Sequence, residues 1–319
     1  MGLILGVDGG GSKTLLAVAT RGGEIVAFER GAGTDPAADP DWGILLRDMM
    51  VAARTSSLEI EAAVFGLSSH GEIESQSAHQ ESVASALAGE GAVVDNDVRI
   101  AFDGALAGAG GVLLLAGTGS MAWASGGGPD APQVRVGGWG EAFGDEGSAF
   151  WIGREALGLA TRALDGRSDA LPFAEALIGS LDLAPHEIMP WASSLQNRRA
   201  SFAALARYVS ALCEAGDPDA ARLIEAAAAH LAAHATAAWR QVDADRPMIW
   251  TYAGGVFASP TFLAAVTRHL GRPPVPPRLP PVGGALLRAA RRAGWAADDA
   301  WIDRLAAGLA ARLASSPQP

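Results

Sequence analysis

The chain of 319 residues is poor in cysteine, in lysine and in charge. Its one cysteine, Cys213, excludes an internal disulfide framework and any thiolate-rich metal or iron–sulfur site within one chain. Charged residues make up only 18% of the sequence and hydrophobic ones 49%, which excludes an extended disordered chain and favours a packed globule. No uninterrupted apolar run is long enough to cross a bilayer, and the N-terminus shows neither a basic segment nor a cleavage site. The formal net charge of −11 speaks against nucleic acid or an anionic membrane as partner. A cytoplasmic protein is expected. Lysine occurs once, at Lys13, inside a glycine-rich loop. A general drift towards arginine and alanine accounts for its scarcity elsewhere.

The sequence is rich in glycine, with 40 residues, and several of them cluster. Near the N-terminus an apolar run over 3–7 ends in Asp8, followed by Gly9-Gly10-Gly11-Ser12-Lys13 and a second alternating run over 15–19. This reads as a β-hairpin with a tip of bare backbone and a carboxylate at its root. Bare backbone N–H groups can approach a phosphate, and the acid can hold the metal ion that a phosphate needs. A Walker A loop would require glycine directly before the lysine and a helix after it. Here Ser12 precedes Lys13 and a strand follows.

The pattern strand, glycine loop, strand, glycine turn, strand runs over 3–30 and recurs over 111–136, with Gly117-Thr118-Gly119-Ser120 at its first turn. Two such meanders predict two homologous halves facing a shared cleft. Between them, helices are expected over 41–54, 74–88 and 98–107, with strands over 62–67 and 92–94. Strands alternating with helices predict an α/β fold. Further on, helices are expected over 149–164, 172–180, 202–215, 218–242, 282–293 and 298–314, and one strand over 248–253, breaking at Gly254-Gly255. The proline-rich stretch 273–281 reads as a crossing between helices. His230 and His234 stand four residues apart on one expected helix, but no acid completes a metal motif.

Another segment, Gly137 to Ser148, surrounds Trp139 and the acids Glu141, Asp145 and Glu146 with glycine. A tryptophan face on a sugar ring, with carboxylates on its hydroxyls, is one way to bind carbohydrate. VDGGGSKT, the pair Asn96-Asp97, AGTGS, GGWGEAFGDEGSAFWIGREAL and AGGVF stand here in the order seen in N-acetylglucosamine kinases. The chain thus resembles the BadF/BadG/BcrA/BcrD-type ATPases of the actin, hexokinase and heat-shock-chaperone superfamily. The resemblance implies an α/β fold of two ribonuclease-H-like lobes flanking an ATP cleft. The expected boundaries are 1–116 for the first lobe, completed by a helix over 298–314, and 117–297 for the second, with helical insertions. It also implies ATP and Mg²⁺, transfer of phosphate to the C6 hydroxyl of an amino sugar, and a homodimer.

By the same resemblance, Asp8 is the Mg²⁺ acid. Gly10, Gly11, Ser12 and Lys13 form the first phosphate loop, and Gly117, Thr118 and Gly119 the second. Gly254 and Gly255 form the nucleoside site. Asp97 is the catalytic base, with Asp95 and Asp103 as competitors. Gly138, Trp139 and Asp145 belong to the sugar site. Asp35 stands where these kinases often carry asparagine. A carboxylate there suits a protonated 2-amino group, so glucosamine competes with N-acetylglucosamine as substrate. Otherwise Asp35 simply starts a turn. A dehydratase activator and a non-catalytic sugar sensor are the rival classes. The first lacks the thiolates it would need, and the second should carry a DNA-binding extension.

Overall fold

A computed structural model describes residues 2–315, except 12, 37–38, 56–58, 129–130 and 244. The chain divides into two compact units, Met1–Gly110 with Gly127–Pro129 and Pro276–Pro319, and Gly111–Gly126 with Asp130–Val275.

The first unit is built on β1 (Leu3–Gly9), β2 (Lys13–Thr20), β3 (Ile25–Ala32), β4 (Ile60–Leu67) and β5 (Val93–Asn96). They lie in the order β3-β2-β1-β4-β5. β1 pairs antiparallel with β2, and β2 with β3; β1 and β4, and β4 and β5, run parallel. Every residue of β1 is buried, as a central strand covered on both faces requires. Alternation sends Leu5 and Val7 to one face, where they join Trp42, Leu46 and Met49 of α1 (Trp42–Ala52) and Ala84 of α2 (Glu74–Ala88). Ile4 turns to the other face with Ile100 of α3 (Asp97–Ala105), Leu286 of α11 (Pro281–Arg292) and Leu305 of α12 (Asp299–Ser315). Helices α11 and α12 thus bring the end of the chain back to the first sheet.

Glycine sets how closely α11 lies on this face. A Cβ on Gly6 of β1 would stand 2.8 Å from Leu286 Cγ, and one on Gly284 of α11 would stand 1.9 Å from the carbonyl oxygen of Ile100 in α3. The expected boundaries assign residues 276–297 to the second lobe. They group with the first unit because the apolar face of α11 is core to this sheet.

The second unit holds β6 (Ala109–Ala116), β7 (Ser120–Gly127), β8 (Gln133–Gly137) and β9 (Trp250–Ala253), in the order β8-β7-β6-β9. β7 and β8 are antiparallel, and β6 and β9 parallel. This order repeats β3-β2-β1-β4 of the first unit, as the recurring meander predicts. Around the sheet run α4 (Ala149–Leu164), α5 (Leu171–Gly179), α6 (Ile188–Ser194), α7 (Arg198–Ala204), α8 (Ala206–Glu214), α9 (Pro218–Val242) and α10 (Pro260–Leu270). Val112 and Leu114 of β6 pack with Ile152 of α4, Leu231 of α9 and Phe262 of α10. α9 starts where Asp217 Oδ1 accepts the N–H groups of Asp219 and Ala220, with Pro218 in the first turn.

Two expectations fail locally. The helix expected over 202–215 is two helices, α7 and α8, because Leu205 N–H bonds the carbonyl of Phe202 in a tight turn and sends its buried side chain to the core. The alanine-rich sequence gives no stop signal there. Helix α6 was missed, since among its residues only Ile188 is buried and an apolar stripe is lacking. Among the described residues no helix is long and apolar enough to cross a membrane.

Candidate active site

In the first unit, β1 delivers Asp8 to the start of the glycine turn. Gly10 N–H donates to the carbonyl of Lys13 at 3.1 Å, closing the hairpin, and the Gly10 carbonyl accepts from Thr34 N–H at 3.0 Å. That commits Gly10 internally and leaves the Gly11 N–H without a hydrogen bond to a described residue. Ser12 lies outside the described residues. Gly9 is sterically required, since a Cβ would stand 2.3 Å from Thr34 Oγ1. Asp8 keeps 9% of its surface, and no cation forms an ion pair with it among the described residues. Burial first, and the Asp97 carboxylate second, push its carboxyl up to about 7, against a lowering by Lys13.

Asp97 opens α3. The preceding Asn96 caps that helix, its Oδ1 accepting Val98 N–H at 2.9 Å while its Nδ2 donates to the His70 carbonyl at 3.0 Å. Asp97 Oδ1 accepts the same Val98 N–H at 2.9 Å. Burial pushes Asp97 up to about 6; the Val98 hydrogen bond lowers it, and Glu72 and Asp35 raise it by like charge. Asp35 therefore lies within electrostatic reach of Asp97, as does Glu72, which sequence reasoning missed.

The two competitors for the base role are engaged elsewhere. Asp95 Oδ2 pairs with Arg288 Nη2 at 2.6 Å, and buried Asp103 Oδ2 pairs with Arg288 Nη1 at 2.7 Å and Arg99 Nε at 3.0 Å. Their oxygens are committed to guanidinium partners. Asp97 has no such partner among the described residues.

In the second unit, Gly117 N–H bonds the Gly119 carbonyl at 2.9 Å, closing the turn after β6. The carbonyls of Gly117 and Thr118 accept from Ala149 and Phe150, the first residues of α4. Gly254, at φ 101°, turns the chain out of β9, and a Cβ there would stand 2.3 Å from the Ala116 carbonyl oxygen. Only glycine fits. Gly117, Thr118 and Gly255 line one cavity of ≈ 710 Å³, which α7 and α8 close with Ala203, Arg207, Ser210 and Glu214. That volume falls in the usual range for small-molecule sites. The α7–α8 wall carries no motif and so leaves no mark in the sequence.

The segment after β8 splits its aromatic and acidic members. Trp139 is 73% exposed, a bare ring on a loop whose glycines 137, 138 and 140 all have positive φ. Gly138 supplies a carbonyl to Arg135. Asp145 is 2% exposed and faces inward: Oδ1 accepts Ser120 N–H at 3.2 Å and Oδ2 accepts Arg199 Nη2 at 2.7 Å. Its φ of 57° is unusual for a side-chain-bearing residue. Asp145 thus ties the second glycine loop to α7, and Arg199 also pairs with Glu141 at 3.1 Å. His230 meets the Trp151 ring edge-on and His234 faces Glu146 at 3.7 Å. No group of three metal-ligating side chains occurs among the described residues.

The model of the BadF/BadG/BcrA/BcrD ATPase family matches residues 5–289. An N-acetylmuramic acid/N-acetylglucosamine kinase from Clostridium acetobutylicum is 25% identical over 271 residues, 82% of this chain and 88% of that protein. The crystal structure of a candidate N-acetylglucosamine kinase from Chromobacterium violaceum aligns with a TM-score of 0.71 and 27% identity, covering 89% of this chain and 98% of that one. A ROK family glucokinase from Streptomyces griseus, solved with glucose and AMPPNP, aligns with a TM-score of 0.56 over 91% of this chain and 98% of its own, and at 18% identity shares the fold alone.

Proposed function

Because the chain belongs to the BadF/BadG/BcrA/BcrD ATPase family, we propose that it is an ATP-dependent kinase that phosphorylates the C6 hydroxyl of N-acetylglucosamine. One observation carries the nucleotide half of this reading. Gly117 and Thr118 of the second glycine loop and Gly255 of the turn after β9, far apart in sequence, line a single cavity large enough for a nucleoside. The names of the relatives from Clostridium acetobutylicum and Chromobacterium violaceum support an amino-sugar acceptor.

The chemistry follows from the residues. Transfer to an alcohol needs a base that is ionised near neutrality and able to take a proton. Asp97, pushed up to about 6, meets both needs. It orients the sugar hydroxyl and accepts its proton as that oxygen bonds the γ-phosphorus and the bond to the ADP oxygen breaks. The N–H of Gly11 and the ammonium of Lys13 supply positive charge to the phosphate oxygens. Asp8 suits Mg²⁺: it is a hard oxygen donor, and burial, with the Asp97 carboxylate beside it, holds its carboxyl above the usual carboxylate range. A bound Mg²⁺ would neutralise charge developing on the phosphates. Trp139, open to solvent, would offer its face to the sugar ring.

Glucosamine is a second reading, supported by Asp35 acting electrostatically on Asp97. A carboxylate close to the base favours a protonated amine over an acetamide. The test is to incubate the pure protein with ATP, Mg²⁺ and a panel of amino sugars, and to locate the phosphate on the product by NMR. Absence of a phosphorylated sugar across the panel would sink the kinase reading. Product from glucosamine alone would select the second.

A further inference from the structure

Arg288 lies on α11 one helical turn after Gly284. The close approach at Gly284 is mutual, because a Cβ on Gly104 of α3 would stand 3.1 Å from Gly284 N. Two helices with glycine at their crossing sit backbone to backbone, so a side chain one turn on reaches over the neighbouring helix. Arg288 does so. Its fork holds Asp95 Oδ2 with Nη2 at 2.6 Å and Asp103 Oδ2 with Nη1 at 2.7 Å. Asp95 is the penultimate residue of β5, just ahead of α3, and Asp103 lies within α3, so one guanidinium spans the strand-to-helix junction that carries Asp97.

From Arg288 the hydrogen bonds run on to the proposed base. Asp95 Oδ1 accepts Asn96 N–H at 3.0 Å. Asn96 Oδ1 accepts Val98 N–H, which Asp97 Oδ1 also accepts. The side chains of Arg99, Asp103 and Arg288 keep 8%, 7% and 19% of their surface, so these charges act with little water between them. α11 also lies on β1 at Gly6, two residues before Asp8. A single helix therefore serves as the reference for both acids of the first unit.

We propose that Arg288 is a positioning residue for Asp97: by bridging Asp95 and Asp103 it fixes the cap of α3 and the direction of the Asp97 carboxylate, and it keeps the two neighbouring carboxylates from acting as bases. This rests on Asp97 being the base. The planar fork matters, because a lysine offers one point charge and cannot hold two carboxylates in a fixed relation.

The test uses the full chain as wild type, Arg288→Gln, Arg288→Lys, Asp97→Asn and the double variant Arg288→Gln/Asp97→Asn, assayed with ATP, Mg²⁺ and N-acetylglucosamine. Arg288→Gln is expected to lower kcat about tenfold or more, as small misplacement of a reacting group does, while KM for ATP changes by less than about twofold. Arg288→Lys should recover only part of the loss. The double variant should be no slower than Asp97→Asn alone, since both changes act on one group. Independently of turnover, hydrogen exchange at the Val98 amide should quicken by about tenfold in Arg288→Gln while the Gly6 amide keeps its protection. Wild-type kcat and Val98 protection in Arg288→Gln overturn the proposal, as do losses that multiply in the double variant. Near-normal turnover of Asp97→Asn overturns the base assignment and this inference with it. Asp97→Asn inactive beside a normal Arg288→Gln overturns this inference alone. If Arg288→Gln does not fold, Arg288→Lys carries the same readings, with equal Val98 exchange and kcat to wild type as the overturning result.

Discussion

The two units share a strand order and a glycine loop after the first strand, yet they treat charge in opposite ways. In the first, Asp8 is the penultimate residue of the strand, and neither buried Asp8 nor half-buried Asp97 has a guanidinium hydrogen-bonded to it among the described residues. In the second, the strand ends on Ala116, and the buried acid beside the loop, Asp145, is neutralised by Arg199 and a backbone N–H. A paired acid is settled and holds structure. An acid without a partner is held above its ordinary range and is available to a cation or a proton. Under the proposed function, a duplicated scaffold divides labour, with the reacting acids in one half and the cavity lined by Gly117, Thr118 and Gly255 in the other.

The strongest way to break this comparison is to remove the proton acceptor. Asp97→Asn should lower kcat by ~10²–10⁴-fold with both KM values little changed. The same assignment fixes a pH dependence: since Asp97 titrates at about 6 and must be ionised to accept a proton, kcat should rise with pH through that value and level off above it. A steady-state profile that stays flat from pH 5 to 8 would count against it.

Asp8→Asn should reduce activity by about 10²-fold with a weakened Mg²⁺ dependence, as expected when a hard oxygen ligand is lost. It should also raise the stability of the protein free of ligands. A carboxyl held at about 7 when folded, against its ordinary value of 3.8, favours the folded state only where it is protonated in both states. That contribution is lost as pH rises from about 4 towards 7. Asparagine escapes the cost, so the variant should gain on the order of 4 kcal/mol at pH 8. The gain should shrink towards pH 4, and urea unfolding at the two pH values reads it. A gain that is equal at both pH values would show that Asp8 is not the group responsible.

In the second unit, Asp145→Ala should destabilise by about 1–3 kcal/mol, because Ser120 N–H and Arg199 lose a charged acceptor. It should raise KM for ATP as well as for sugar, since the bond it breaks belongs to the second glycine loop. Trp139→Ala should leave the melting temperature nearly unchanged and raise KM for sugar alone, by about tenfold. Equal effects of the two variants on all three quantities would erase the distinction between a structural acid and an exposed ring.

The smallest expected effect sharpens the substrate. If Asp35 faces the C2 substituent, Asp35→Asn should shift the ratio of kcat/KM values towards N-acetylglucosamine, away from glucosamine, by about tenfold, the size of a charge-assisted hydrogen bond. An unmoved ratio would assign Asp35 to the turn before Pro36 and leave the kinase reading standing.

What the sequence made legible was what depends on residue type over short range. Glycine runs marked both loops because bare backbone is needed there, and alternation gave the strands of both meanders. Asn96-Asp97 stood out as a pair. What stayed hidden depends on partners distant in the chain. Asp95, Asp97 and Asp103 look alike as letters, and what sets both Asp95 and Asp103 apart from Asp97 is Arg288, 185 residues beyond Asp103. Asp145 was expected to face a sugar, and its inward turn follows from Arg199, 54 residues away. The break at Leu205 arises from burial of one side chain in a run that holds neither glycine nor proline.

Lys13, exposed at the first residue of β2, has a consequence for how the protein can be observed. It carries the chain's sole side-chain amine. A reagent that acylates amines can therefore modify, besides the α-amino group, one position only, and that position adjoins the first glycine loop. A fluorophore attached there would report on events at this loop without any engineered cysteine. Protection of that single amine by added nucleotide could be read from the intact mass.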